Sequence, residues 1–341
     1  MLILRPVGPS DLDGLLELAA QLDSMNLPRD REFLERRIEV SNRSFSGEIA
    51  SRGEGVYVFV LEDTEADRIV GSSLILAKHG RPGAPYYWLK VSREERRSTA
   101  LGKRFVHTKL QLMSTEDGPT EIGGLILDPR YRSHPEKCGK ALSILRFAYI
   151  AAHPERFERE VIAEMLSPFD ESGANLLWNA FGAKFTGLPY READHLSARD
   201  KQFITDLFPV DPVYATLFPE DVQAVIGRPN ETAKAAVRIL EKVGFKYLGQ
   251  VDPFDGGPYY GAARDAITSV SERRELVLPG LVSDPISHRD GPLVLLSAER
   301  NLGYRATVVP LDEESTPLCS KACREALGAC SGDRVTVTPL P

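Results

Sequence analysis

The chain has 341 residues, of which 42% are hydrophobic and 27% are charged, and its formal net charge is −7 at pH 7. This length and composition are typical of a soluble globular protein with one large core or two smaller ones. A negative chain without a basic stretch is a poor partner for nucleic acids, because such binding requires lysines and arginines that neutralise phosphates.

Membrane segments and metal sites are also not predicted. The apolar start MLIL is interrupted by Arg5 and Pro6, before it could form the apolar region of a signal peptide. No uninterrupted apolar stretch is long enough to span a bilayer. Three of the four cysteines have the spacing C-x3-C-x6-C, which matches no standard zinc pattern. We therefore expect a cytoplasmic protein with free thiols, no bound metal and no membrane partner.

The first 120 residues contain patterns typical of both strands and amphipathic helices. Alternating apolar residues predict strands, whereas leucines that recur on one helical face after a capping residue such as Ser10 predict a helix. In chain order we predict a strand at 2–7, a helix from Asp11 to about Leu22, a helix from Arg31 to Val40, a hairpin at 57–77, and a helix or strand near 105–113.

Strand and helix patterns alternate between residues 120 and 262. Glycines that directly follow apolar helical patterns are typical of helix C-termini, and asparagine is a good N-cap. We predict a strand ending at Asp128–Pro129, a helix at about 139–153, a strand at 160–166, a helix closed by Gly182, a helical region at 199–226, a helix capped by Asn230 and ended by Gly244, and a strand–turn–strand unit at 246–262.

The sequence changes character at about Ala263. Short β-rich runs (RELVLP, PLVLLSAE, YRATVVPL and DRVTVTPL) alternate with turns that contain proline and glycine. This pattern is typical of a small β-rich unit. We therefore predict a main domain at 1–262, with a possible partial duplication in its second half, and a small C-terminal subdomain at 263–341.

A strand, a loop and a helix follow one another in the segment LILDPRYRSHPEKCGKAL. Acyl transfer from a CoA thioester requires a held pyrophosphate, a polarised carbonyl and two proton transfers. Backbone N–H groups at the start of a helix suit the first requirement. Gly139 stands at the helix start, Arg132 or Arg130 can contact phosphate, and Lys137 and Lys140 add positive charge. The order is similar to the R/Q-x-x-G-x-G/A loop of GNAT acyltransferases.

The loop also departs from that pattern. It is about two residues longer, and Lys137 replaces the first glycine. Because lysine favours ordinary φ values, we expect the loop not to adopt its tightest form. A plain strand–loop–helix connection with a solvated basic loop is the alternative, since a short glycine pattern is weak evidence of function.

Short motifs spread along nearly the whole chain occur in a distinctive order. They are RPV (5–7), EGVYVFVLED (54–63), LILDP (125–129), VIAEM (161–165), READ (191–194), VIG (225–227), LEKVGF (240–245), FDGGP (254–258) and GDRV (332–335). In this order they resemble the bacterial arginine N-succinyltransferase family.

The resemblance implies a fold and a reaction. The fold would be α+β and GNAT-like, with a mixed, mostly antiparallel sheet flanked by helices and the small C-terminal subdomain. The donor would be succinyl-CoA, with no tightly bound cofactor, and the acceptor would be the α-amine of L-arginine, in the first step of arginine catabolism. Some family members accept ornithine and some combine two related chains, so a homo- or hetero-oligomer is expected.

The resemblance also assigns binding and catalytic positions. The family's succinyl-CoA contact falls on Leu125, whose backbone would bind. The family's proton-donor histidine falls on Asn230, which cannot titrate but can donate a hydrogen bond or cap a helix. Two acceptor-side segments differ from the family, with LDSMNLP at 22–28 and ERRS at 95–98. The complete predicted CoA-binding set is Leu125, Ile126, Leu127, Arg132, Lys137, Cys138, Gly139 and Lys140.

Carboxylates supply the remaining catalytic candidates. Glu164 follows the motif helix on the next strand and is the candidate base, although a strand-edge ion pair is the alternative. Asp194, with Glu192, could pair with a guanidinium, unless it only belongs to a surface turn. Asp255, His195 and Tyr214 are weaker candidates, for which shaping a turn, a structural histidine and an apolar anchor are the favoured interpretations.

Three functional hypotheses follow. The first is an enzyme that succinylates arginine. The second is a GNAT-type acyltransferase with another donor or another amine such as ornithine, which the altered 22–28 and 95–98 segments favour. The third is a non-catalytic subunit that supports an active paralogue, which the replacement of the histidine by Asn230 favours.

Overall fold

The computed structural model describes residues 1–21, 27–197, 200–278 and 291–341. Within these residues the strands form one open sheet of 14 strands, in the order β11-β14-β12-β13-β1-β2-β3-β6-β7-β10-β9-β4-β5-β8. The strands are β1 (Leu2–Pro6), β2 (Val56–Asp63), β3 (Arg68–Leu76), β4 (Tyr86–Ser98), β5 (Lys103–Thr115), β6 (Thr120–Leu127), β7 (Glu160–Glu164), β8 (Val213–Tyr214), β9 (Lys246–Val251), β10 (Pro258–Ala263), β11 (Arg274–Val277), β12 (Leu293–Arg300), β13 (Gly303–Pro310) and β14 (Arg334–Pro339).

Helices cover both faces of this sheet. None of the helices in the described ranges is both long enough and apolar enough to cross a membrane. The helices are α1 (Leu12–Gln21), α2 (Arg31–Ser46), α3 (Cys138–Ala152), α4 (Leu176–Ala180), α5 (Gly182–Thr186), α6 (Tyr190–Ser197), α7 (Gln202–Leu207), α8 (Glu220–Val225), α9 (Lys234–Lys242), α10 (Thr268–Ser271) and α11 (Lys321–Leu327).

Alternation along the central strands sends side chains into two cores. Tyr57 and Phe59 of β2 pack in the core under α3 and α9, whereas Val58 and Val60 pack in the core under α1 and α2. Successive strand residues point to opposite faces, so these helix pairs lie on opposite sides of the sheet. Nearly all of α3 is buried, as expected for a helix that is apolar around most of its circumference.

The β4–β5 hairpin is a long insertion between β3 and β6. Its register runs from Tyr86↔Thr115 to Ser98↔Lys103, which resolves the 105–113 segment as a strand. A separate core around Trp178 packs between this insertion and the helices α4 to α8. The hairpin therefore extends the sheet beyond β9 and supports the helical segment that follows β7.

The C-terminal strands join the opposite edge of the same sheet. Leu4 of β1 pairs with Ala306 of β13, and α11 packs with the outer strands in a core of their own. The division at 262/263 stays a prediction. The predicted fold class is confirmed, since the β6–β7 pair is parallel and the other pairings of the described strands are antiparallel.

Several predicted boundaries were wrong. Helix α2 extends to Ser46 because Gly47, with φ 77°, ends it. Gly182 does not close a helix but begins α5, and a Cβ there would lie 2.3 Å from the Trp178 ring. The region predicted as helical at 199–226 contains the short strand β8 between two helices, and α9 begins at Lys234. The altered segment at 22–28 lies largely outside the described residues.

Candidate active site

The two parallel strands at the centre of the sheet separate soon after they meet. Their pairing consists of Thr120↔Val161 and Glu121↔Ile162. Beyond these pairs β6 continues to Leu127 beside β3, while β7 continues to Glu164 beside β10. Two parallel strands that stop pairing leave backbone N–H and C=O groups without sheet partners. The opening between them can therefore bind an extended ligand that has amide and carbonyl groups.

A β-bulge lies on β6 at this opening. Ser72 pairs with Ile126 and Leu74 pairs with Gly123, so Gly124 and Leu125 together face one residue of β3. Gly124 has φ +55°, and a Cβ there would lie 2.8 Å from the Leu74 side chain. Glycine in the left-handed conformation is typical of such bulges, which often re-aim backbone groups next to active sites.

The backbone beyond the bulge is oriented towards the opening. The Asp128 N–H donates to the Val70 carbonyl oxygen at 2.8 Å. Because antiparallel strands alternate between bonded and non-bonded residues, the Leu127 N–H is expected to point away from β3 and towards the opening. The side chains of the predicted contacts anchor the strand instead: Ile126 packs under α1 and α2, and Leu125 and Leu127 pack under α3.

The connection from β6 to α3 is a compact turn. The Asp128 carboxylate accepts hydrogen bonds from the Arg130 backbone N–H at 2.9 Å and from the Arg130 guanidinium at 2.7 Å. The expectation that Lys137 has an ordinary φ is wrong, because it adopts φ 53° and ψ 46° as the N-cap of α3. A single left-handed residue costs a non-glycine about 1–2 kcal/mol. The loop thus reverses tightly into the helix without its first glycine.

The N-terminus of α3 carries several positive groups. Arg130 is tied to Asp128, whereas exposed Arg132 makes no ion pair with any described residue. The Lys140 ammonium donates to the Pro341 carbonyl oxygen. Burial, followed by the charges of Lys242 and Lys137, lowers the Lys140 pKa. The first N–H groups of any helix lack intrahelical partners, so this end of α3 is suited to an anion.

Cys138, in the first turn of α3, is not suited to be a nucleophile. Its side chain is 1% exposed, and burial raises the pKa of its thiol to about 12. The thiolate is the reactive form of cysteine, and it is hardly populated near neutral pH. Gly139 beside it has room, since a Cβ would lie 3.7 Å from Leu127.

A buried group of carboxylates lies on the sheet face opposite α3. Oxygens of Glu164, Asp252 and Asp255 lie within 4.8 Å of one another. Among the described residues, no lysine or arginine forms an ion pair with these three carboxylates. Like charges this close in a buried site cannot all ionise without a compensating cation. Burial raises the Asp252 pKa and the Lys201 charge opposes this shift without forming an ion pair, so the cluster can accommodate a positively charged ligand.

The pKa values of the cluster reflect this repulsion. Burial, and then the Asp252 charge, raise the pKa of Glu164 well above its usual range, and the same two causes raise that of Asp255 to about 7. Glu121 on β6 has its pKa raised by burial to about 7. His79 lies 3.6 Å from Glu121, and burial lowers its pKa to about 3. Neutral His79 does not compensate the carboxylates.

Hydrogen bonds fix the positions of these carboxylates. The Tyr259 hydroxyl donates to Glu164 at 3.0 Å, and Asp252 accepts from two backbone N–H groups at 2.7 and 2.9 Å. Asp255 accepts from the Ser167 and Gly257 N–H groups at 2.9 and 2.6 Å. The buried Tyr86 hydroxyl lies among these groups, since burial and then the charges of Glu121 and Glu164 raise its pKa, while a hydrogen bond with Tyr259 opposes the shift.

The predicted catalytic residues divide between this cluster and other places. Glu164 belongs to it, and Asp194 lies near it, since burial and then the Asp252 charge raise the Asp194 pKa. Glu192 and His195 are exposed on α6. Asn230 caps the turn before α9, where its side-chain oxygen accepts from the Ala233 N–H at 2.8 Å, and its own N–H donates to Leu166. The Tyr214 hydroxyl donates to Glu94 at 2.8 Å, away from the cluster.

Sequence reasoning missed several members of the site. They come from β6, from the β3–β4 connection and the start of β4, and from the β9–β10 turn and β10, which are far apart in the chain. A weak signal was present: Glu121 interrupts an apolar strand, and Asp252 occurs three residues before Asp255 in a glycine-rich turn. The missed residues are Glu121, Asp252, Tyr259, Tyr86 and His79.

Comparisons with known proteins agree along the entire chain. The family model described as arginine N-succinyltransferase beta subunit matches residues 2–269. Arginine N-succinyltransferase of Yersinia enterocolitica is 35% identical over 347 residues, covering 100% of this chain and 98% of that protein. The Photorhabdus laumondii enzyme of the same name is 33% identical over 344 residues, with the same coverage.

A solved structure gives the same relationship in three dimensions. The arginine/ornithine succinyltransferase subunit AI from Pseudomonas aeruginosa has 30% sequence identity and a TM-score of 0.84, covering 100% of this chain and 99% of that chain. The opening between β6 and β7, the bulge and the turn into α3 thus lie in a fold that this relative shares. The chain belongs to the arginine N-succinyltransferase family.

Proposed function

We propose that this chain transfers a succinyl group from succinyl-CoA to the α-amine of L-arginine. The observation that carries this proposal is the buried carboxylate cluster beside the opening between β6 and β7, because a cationic acceptor could pair with carboxylates that form no ion pair within the described residues. Family membership supports the same reaction.

The donor would lie along β6 with its diphosphate at the start of α3. The N–H groups of the first turn, near Gly139, together with Arg132 and the lysines at 137 and 140, would bind the phosphates. The pantetheine arm would run through the opening, where Leu125 and Leu127 offer backbone N–H groups. One of these would donate to the thioester carbonyl oxygen and polarise it.

The proposed reaction is a direct attack of the α-amine on the thioester carbon. The α-ammonium first loses a proton to solvent or to Glu164. The amine nitrogen then attacks the thioester carbon, and a C–N bond forms as the carbonyl becomes an oxyanion. The oxyanion collapses, the C–S bond breaks, and the thiolate takes one of the two protons on the nitrogen, directly or through water. The products are an N-succinyl amino acid and CoA.

Glu164 suits the role of base by position and by pKa. It ends β7 at the opening, and burial raises its pKa, which makes its carboxylate a stronger base than that of an exposed glutamate. Asp252, Asp255 and Asp194 would face the guanidinium, since planar guanidinium groups pair with carboxylates through paired hydrogen bonds. Asn230 would act by hydrogen bonding only, because its amide does not titrate.

A panel of amines tests this proposal through release of the CoA thiol. L-Arginine should react with succinyl-CoA, and L-citrulline, which has nearly the same shape without the charge, should react at least roughly 100-fold less efficiently because it leaves the carboxylates unpaired. Turnover of citrulline equal to that of arginine would contradict the acceptor assignment. Acetyl-CoA in place of succinyl-CoA tests the donor.

Two alternatives have specific support. A relative is described as an arginine/ornithine succinyltransferase, so ornithine is the second acceptor to test. That relative is described as a subunit and the matching family model as a beta subunit, which favours an assembly in which this chain supports a second one. Turnover only after addition of a paralogous chain would select that alternative.

The four cysteines are unpaired, and we propose a reducing compartment, the cytoplasm, for this reaction.

A further inference from the structure

Arg146, in the middle of α3, is a buried cation that the proposed reaction does not use. Its residue is 3% exposed, and none of the carboxylates in the described ranges forms an ion pair with it. Burial lowers its pKa to about 9, so it remains charged near neutral pH. Burying a charge without a counter-ion is strongly unfavourable, and its neighbours Leu145 and Phe147 are apolar. Stability alone does not explain this arginine.

The guanidinium is oriented by α3 and bonded to β6. It donates to the Ser143 carbonyl oxygen at 3.2 Å and to the Ser143 hydroxyl at 3.0 Å. A further N–H donates to the Gly123 carbonyl oxygen at 3.3 Å. Ser143 thus fixes the guanidinium on the helix, and the guanidinium fixes one peptide group of the strand.

That peptide group is part of the bulge. Gly123 directly precedes Gly124, whose φ of +55° creates the bulge at the opening between β6 and β7. A strand segment with two adjacent glycines has little side-chain packing to hold it. Ser73 lies opposite the bulge on β3, and its buried hydroxyl makes no hydrogen bond within the described structure. Arg146 is therefore the side chain that restrains this unusual backbone from the α3 side.

We propose that Arg146 is a positioning residue for acyl transfer, which holds the Gly123–Gly124 peptide of the bulge and keeps a positive charge behind the strand that receives the thioester carbonyl. This inference rests on the proposed reaction. The charge favours the oxyanion that develops as the amine attacks, and it is in place before the reaction begins, which is the condition for efficient electrostatic stabilisation. The acidic cluster lies on the other face of the sheet, so the bulged strand β6 lies between the Arg146 guanidinium and the carboxylates of the cluster.

The test compares three purified full-length variants. Arg146→Met removes the charge and the donors but keeps the length of the side chain, and Arg146→Lys keeps the charge. Arg324→Met is the matched control, because Arg324 is also a buried arginine, 6% exposed, but lies in the C-terminal core. Each variant is measured for kcat, for KM of both substrates, for thermal stability, and for hydrogen exchange of the 123–127 backbone amides.

The expected result separates positioning from simple packing. R146M should fold with a Tm equal to or above that of the wild type, lose roughly 10- to 100-fold in kcat, and keep both KM values within about threefold. Hydrogen exchange at 123–127 should become faster. R146K should recover a large part of kcat, whereas R324M should change stability without changing kcat per folded molecule.

Two results would overturn the inference. One is an R146M protein with unchanged kcat and unchanged exchange at 123–127. The other is R146K that is no faster than R146M. If the wild type uses another amine or another acyl donor, the proposed substrate assignment is wrong. The kcat values of the Arg146 variants are then compared using the amine and the donor that do react. If the wild type has no turnover, the exchange measurement still decides whether Arg146 holds the bulge.

Discussion

Replacing Glu121 by glutamine should make the ligand-free protein more stable, and increasingly so at higher pH. Burial raises the Glu121 pKa from 4.5 to about 7, the Lys201 charge opposes this shift, and the Asp252 charge adds to it. The folded chain therefore holds a proton that the unfolded chain has lost. The contribution that the bound proton of Glu121 makes to the free energy of unfolding is fully present below pH 4.5 and is lost as the pH rises through about 7. Glutamine mimics the protonated carboxyl at every pH.

The magnitude follows from the shift in pKa. A shift from 4.5 to about 7 corresponds to about 3 kcal/mol at pH 8 and to about 1 kcal/mol at pH 5. The assay is urea unfolding of wild type and E121Q at both pH values, without substrates. E121Q should exceed the wild type in free energy of unfolding by these amounts.

The control for this experiment is Glu192→Gln, which removes an exposed carboxylate from α6. Exposed substitutions usually change stability by less than about 0.5 kcal/mol, so E192Q should match the wild type at both pH values. An E121Q protein that gains no stability between pH 5 and pH 8 would refute the reasoning, because Glu121 would then be ionised and compensated in the folded chain.

Substitutions at three further positions test the bulge, the Asn230 cap and the proposed phosphate contact of Arg132. Gly124→Ala places a Cβ 2.8 Å from the Leu74 side chain at φ +55°, so it should cost about 1–3 kcal/mol of stability and lower kcat. Denaturant unfolding measures the stability and steady-state kinetics measure kcat. An unchanged kcat would argue against a role of the bulge. Asn230→Ala should cost about 1 kcal/mol of stability because the helix cap is lost, whereas Asn230→Asp should keep the cap. If the kcat of folded N230A falls by more than about 100-fold, the main role of Asn230 is hydrogen bonding to substrate. Arg132→Ala should raise KM for succinyl-CoA with little change in kcat. The rise in KM should become smaller as salt is added, because the Arg132 side chain is exposed. A rise in KM that does not depend on salt would contradict a phosphate contact.

Elements with strong local signals were predicted well. The strand at 2–7, the hairpin at 57–77 and the helix after the basic loop depend on periodic apolar residues, and they occur as β1, β2–β3 and α3. Boundaries that depend on tertiary contacts were less accurate. Gly182 was interpreted as a helix end, but the structure uses its missing Cβ to make room for the Trp178 ring.

The Lys137 prediction shows how tertiary contacts can override local preference. Lysine on its own disfavours a left-handed φ. In the structure, the turn bonds from Lys137 to His134 and from Ala141 to Lys137 hold the loop in place, and the conformation is maintained at φ 53°. A cost of about 1–2 kcal/mol for one residue is small beside the burial of a helix such as α3.

The proposed donor half of the site was predictable from the sequence alone. Its strand, loop and helix are contiguous in the chain, so residues 125–140 could be assigned together from local pattern and family motifs. The proposed acceptor half could be recognised only in the fold, because Glu121, Glu164, Asp252 and Asp255 come from three separate segments of the chain and come together only when β6, β7 and β10 lie side by side. Their chemistry depends on burial and mutual repulsion, and neither property exists before the chain folds.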